Sequence, residues 1–193
     1  MISSIKLACL LTFAALSVTA SKNLRSQTSA SAINCYGPFD IMCLQHTTDV
    51  AAGTITFNAT CTEALFEKVG YCAFGLSLAG SSSMGNAEVF FVSVLSNGVV
   101  SIEDRFNPKG HDAPVCVTQL LTGASGSVNS ATGVVTAKWT RPLNATGSGY
   151  ASITSGATLH TIAAWGSASH QQATPCQTGW SKHSYTGSGT TTF

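Results

Sequence analysis

The sequence predicts an all-β fold, an antiparallel β-sandwich of nine to eleven short strands, and three observations carry that prediction. Only 9% of the 193 residues are charged, while Gly, Ser, Thr, Ala and Val dominate, a composition of β-rich domains rather than helical ones. Short runs of alternating or continuously apolar residues recur at intervals punctuated by glycine, proline and asparagine. A single segment, Thr62 to Lys68, reads as one helical turn.

The elements follow in order. Met1 to Ala20 has one lysine, an apolar run from Leu7 to Val18 and a small-residue site at Val18-Thr19-Ala20, the pattern of a secretory signal too short to span a bilayer. Residues 21–34 read as a polar, flexible leader, and residues 35–193 as one domain. Cys35 to Cys43, with Gly37-Pro38 between, is a stapled turn. Thr54 to Ala59 alternates as a half-buried strand. Gly70 to Ser77 is an uncharged strand buried on both faces; Gly80 to Ser83 breaks it, and Met84-Gly85 sits at the turn before a second apolar run, Glu88 to Leu95. Asn97-Gly98 between Val92–Ser96 and Val99–Ile102 predicts a type I′ hairpin. Beyond it, Ser101, Glu103 and Arg105 give the next strand one wet face. Asn107 to Pro114 is a loop, Val117 to Val128 holds a short strand, and Val134 to Arg141 alternates until Pro142 ends it. Thr158 to Trp165 is a further strand, and a loop from Gly166 to Gly179 leads to a last one, Trp180 to Tyr185, and a glycine- and threonine-rich tail.

Removing the signal takes Cys9 with it and leaves Cys35, Cys43, Cys61, Cys72, Cys116 and Cys176, an even set expected to form disulfides in an exported chain. Local staples Cys35–Cys43 and Cys61–Cys72, with Cys116–Cys176 joining distant loops, are the favoured pairs among 15 possible. Asn58-Ala59-Thr60 and Asn144-Ala145-Thr146 are acceptor sequons for N-glycans. Charges balance and no basic run occurs, which argues against nucleic acid as a partner, and no later segment predicts a membrane span. With no G-x-S-x-G and no C-x-x-C, hydrolase, zinc-ribbon and thioredoxin-type chemistry lack support.

Six segments in order then form a pattern: Gly70 to Ser77; Met84 to Val89; Asp104-Arg105-Phe106; Pro114 with Gln119-Leu120; Trp139 to Leu143; and Ile162 to Gly166. Together they resemble the DOMON family, an Ig-like sandwich that includes the b-type cytochrome domain of cellobiose dehydrogenase and related secreted cytochromes. The resemblance runs from Thr54 to about Tyr185. It implies a non-covalent haem b with Met84 as one axial ligand and a histidine as the other, His183 in preference to His170. Phe74, Phe90, Phe91 and Trp180 are the expected apolar walls, and Tyr150 or Lys182 the groups that could reach a propionate. It further implies extracellular one-electron transfer between a separate redox donor and acceptor, an electron-transfer or binding role rather than catalysis. The alternative is a haem-free carbohydrate-binding or adhesion module, with Trp139, Tyr150 or Trp180 stacking on the sugar rings of a glycan.

Overall fold

Alternating burial along successive strands sorts the chain into two facing antiparallel sheets. The computed structural model describes residues 28–30, 33–37, 40–62, 69–110, 113–167, 172–177 and 183–193. Twelve strands run through them: β1 (Thr28–Ala30), β2 (Asn34–Tyr36), β3 (Met42–Asp49), β4 (Thr54–Cys61), β5 (Val69–Ser77), β6 (Ala87–Val94), β7 (Val100–Asn107), β8 (Val115–Cys116), β9 (Thr122–Val128), β10 (Val135–Pro142), β11 (Thr158–Ser167) and β12 (Tyr185–Thr192). One sheet has the order β1-β3-β4-β10-β9, with β2 also on β3; the other has β12-β11-β5-β6-β7-β8. The fold is therefore the expected all-β sandwich.

Its centre is aromatic. Phe57 from β4, Phe90 from β6 and Trp139 from β10 meet with ring centroids 5.0–5.5 Å apart, and all three are fully buried. Ile55, Phe74, Leu76, Val92 and Trp165 extend this layer between the sheets. Such interdigitation of two inner faces is what holds a sandwich together. Three disulfides, Cys35–Cys43, Cys61–Cys72 and Cys116–Cys176, have the pairing favoured in the sequence.

Several expectations need correction. Thr28–Ala30 lies in the stretch read as a flexible leader yet pairs with β3. β3 was not expected: His46 and Thr48 occupy inward positions, so polar residues interrupt its apolar alternation. The tail is strand β12, paired along its length with β11, and glycine and threonine composition hides it. The hairpin at Asn97-Gly98 is not type I′. Only Gly98 has positive φ (82°), and the Gly98 N–H donates to the Leu95 carbonyl, giving a type I turn followed by a left-handed glycine. The wet face expected for β7 is also buried, as shown below. Residues 1–20, residues 63–68 of the Thr62 to Lys68 stretch expected as a helical turn, and His170, Trp180 and Lys182 lie outside the described residues. Among the described residues, no helix is long and apolar enough to cross a membrane.

Candidate functional site

β5 and β6 are apolar on both faces, which requires that both faces be covered. The register shows how. Phe74 and Leu76 point between the sheets with Phe90, while Tyr71, Ala73 and Gly75 share the opposite, outer face with Val89 and Phe91 of β6 and Ile162 and Ala164 of β11. Tyr71, Ala73, Ala87, Val89, Phe91, Ile162 and Ala164 form a second buried apolar cluster, and Met84 packs against it half-buried. Tyr71 stacks on Phe91 at 4.9 Å, and burial pushes its phenol up to about 12. Gly75, Ala73 and Ala164 make a floor of small residues between these larger side chains. A Cβ on Gly75 would fall 2.5 Å from the Ile162 side chain, so Ile162 already fills that place.

The turn that carries Met84 is held by hydroxyls. Ser77 Oγ accepts from Ser81 N, Ser81 Oγ from Ser83 N, and Ser83 Oγ from Gly85 N. Leu78 N then donates to the Asn86 carbonyl at 2.9 Å and closes the loop. Gly85 packs backbone to backbone against the next loop, since a Cβ there would meet Gly110 N at 2.6 Å. The polar serines thus fix the position of an apolar side chain.

β7 brings charge to the same outer face. Glu103 and Arg105 are buried and bonded at 2.6–2.8 Å, with the Arg105 guanidinium 4.7 Å above the Phe91 ring. Arg105 also donates to the Pro114 and Gln177 carbonyls and to Gln172 Oε1. The segment Gln172–Gln177 is therefore strapped across the edge of the face, and the Cys116–Cys176 disulfide ties its end to β8. This strap is why the expected wet face is dry.

His183 is half-buried two residues before β12, and the next residue's N–H, that of Ser184, donates to the Trp165 carbonyl at 2.8 Å. Trp165 is next to Gly166, which pairs with Tyr71. Met84 and His183 therefore belong to opposite ends of the same sheet, with the outer cluster between. Phe74 and Phe90, expected as walls, point into the inter-sheet core because their strand positions face inward; Phe91, one residue on from Phe90, is the aromatic in the Met84 cluster. Trp139 is fully buried beside Phe57, so it presents no ring to a sugar. Tyr150 lies apart, donating to the Thr118 carbonyl at 2.5 Å and lining an open surface cavity of about 500 Å³ with Val117, Leu120, Thr146 and Ser148. Asn58 and Asn144 are both exposed. Among the described residues, a close group of metal-ligating types occurs at Glu103, Cys116 and Cys176, but the disulfide occupies both sulfurs.

Two facing sheets with a second apolar layer on one outer face define the class: an antiparallel β-sandwich. The DOMON domain model matches residues 41–166, and the chain belongs to the DOMON family. The fold is also similar to the cytochrome b domain of pyranose dehydrogenase from Coprinopsis cinerea, at 15% identity and a TM-score of 0.59, covering 82% of this chain and 80% of that one. No curated protein sequence matches the chain.

Proposed function

We propose that this chain is a b-type haem protein that passes single electrons between separate partners outside the cell. One observation carries the reading: Met84, a soft ligand on a loop held in place by three serine hydroxyls, packs half-buried against an apolar outer face. A core plug would sit between the sheets; this side chain is on the other side. The residues present fit the group. Around the small residues Ala73, Gly75 and Ala164, the side chains of Tyr71, Val89, Phe91 and Ile162 would offer a planar ring an apolar surface that excludes water. Met84 Sδ and the neutral imidazole of His183 are the groups that would hold the iron, with His170 as the alternative. A bound haem would supply one-electron chemistry, and two protein ligands on the iron would favour outer-sphere transfer over oxygen activation. The similarity to a dehydrogenase's cytochrome domain supports a dehydrogenase as the donor. Three disulfides and exposed sequons at Asn58 and Asn144 support an exported, glycosylated chain.

The visible spectrum of the protein, purified with haem available and read before and after dithionite, tests this. The expected result is a Soret band with sharp α and β bands on reduction, lost in Met84→Ala and His183→Ala. Loss in His170→Ala instead reassigns the second ligand. A protein that stays colourless through haem titration removes the electron-transfer reading. It would promote the second reading, a glycan-binding module, for which the cavity beside Tyr150 is the supporting observation.

A further inference from the structure

Behind the outer face, between the sheets, lie three charged side chains with no exposed surface: Glu88 on β6, Asp104 on β7 and Arg141 on β10. Arg141 Nη1 donates to Glu88 Oε2 at 3.0 Å and Nη2 to the Ala151 carbonyl at 2.7 Å, while the Ala151 N–H donates to the same Glu88 oxygen at 2.7 Å. The charges of one carboxylate and one guanidinium are thereby paired. Asp104 is left over. Gln119 binds its backbone N–H and carbonyl, but among the described residues no N–H or O–H reaches either carboxyl oxygen, and Glu88 Oε1 also lacks a donor. An ionised carboxylate with no donor in a dry core is costly enough that such a group keeps its proton instead. The two carboxyl groups lie side by side, and one proton between them turns that approach into a hydrogen bond.

We propose that Asp104 is a buried, redox-linked proton site: its carboxyl holds a proton donated to Glu88 Oε1, and gives it up or regains it as charge changes on the outer face. The count of charge supports the first half. Protonated Asp104, ionised Glu88 and Arg141 sum to zero, whereas two carboxylates would leave an uncompensated negative charge. The groups bearing on Asp104 are Glu88 from β6 and Arg141 from β10, with the Tyr150 phenol acting on Arg141 from the following loop. Burial raises Asp104 to about 8, with the Glu88 charge adding to the rise and Arg141 opposing it. Glu88 is raised less far, because Arg141 and the Ala151 N–H hold its charged form. The second half rests on the haem reading. Ala87 and Val89 flank Glu88, and Arg105 follows Asp104, so the acids occupy the inner side of strands whose neighbouring residues form the outer face. When an external one-electron donor reduces a group bound on that face, the added negative charge favours the protonated acid, and the proton comes from water.

Two measurements separate these halves. Infrared spectra of the full chain, with or without haem, are expected to show the carbonyl stretch of a protonated carboxyl at pH 7 that fades above about pH 8. The band is absent in Asp104→Asn, whose amide still donates to Glu88. Absence of the band in the wild type overturns the proton site without needing any variant to fold. In the haem-loaded protein, the midpoint potential is expected to fall as pH rises through about pH 8 and to be flat in Asp104→Asn. A flat wild-type profile overturns the link alone. A protein that binds no haem overturns the link together with the electron-transfer reading, and the infrared result still decides the proton.

Discussion

Arg141 shows how much one buried side chain can decide. Its guanidinium crosses from β10 to Glu88 of the facing sheet, and both groups have no exposed surface. Burial pulls its pKa down, but the Glu88 carboxylate bonded to it keeps the guanidinium charged. Arg141→Met would fill similar volume and leave Glu88 without its cation. The expected cost is about 3–5 kcal/mol, the penalty for one unpaired buried charge, read as a lower urea midpoint with an unchanged slope. Little about this pair was legible locally. Glu88 and Arg141 stand 53 positions apart, and each could pass for a solvated residue on a strand's polar face. The six-segment pattern did contain them, with Asp104 and Gln119, but as matched letters without contacts.

Strand pairs and loops behave as units. The Cys116–Cys176 bond closes a separation of 60 residues and anchors the Gln172–Gln177 strap over the β7 edge of the outer face. Replacing both cysteines with serine is expected to cost about 4 kcal/mol from loop-closure entropy, measured by thermal unfolding. The strap remains bonded to Arg105, so the loss should come mainly through the unfolded chain. The alternation of β4 and β10 was readable because one face of each is wet: Ile55, Phe57 and Ala59 point in, Thr56 and Asn58 out. β3 and β12 were not, since burial of His46 and Thr48 in one, and glycine between threonines in the other, erase the apolar beat.

Across the whole molecule, two buried groups bend stability in opposite directions with pH. His46 is buried against the Phe193 ring at 4.6 Å, and desolvation lowers its pKa below the usual 6.5. Its contribution is complete above that value and is lost as pH falls through the folded pKa. Asp104 works the other way. Its folded pKa is raised to about 8, so the folded state binds the extra proton and stability declines as pH rises from the ordinary carboxylate range toward 8. Each group can contribute up to about 1.4 kcal/mol per pH unit inside its window. Above about pH 6.5 the melting temperature is therefore expected to fall as pH rises, while just below 6.5 the two slopes oppose each other. Asp104→Asn should flatten the decline above 6.5, and His46→Leu should let stability keep rising as pH falls below it; a profile insensitive to both variants would contradict these assignments.

By itself the sequence determined the sandwich, the strands with one wet face, the cysteine set and the order of the DOMON segments, because each rests on neighbours along the chain. It also singled out Met84, as a methionine at a turn where a strand could have buried it. Which face Met84 reaches was decided only by tertiary structure. β5 and β6 are apolar on both sides, and only their register with β7 and β11 tells the inter-sheet core from the outer cluster. That register put Phe91 in place of Phe90 beside Met84. It also turned Glu88 and Asp104 inward toward Arg141, where full burial makes a single proton matter.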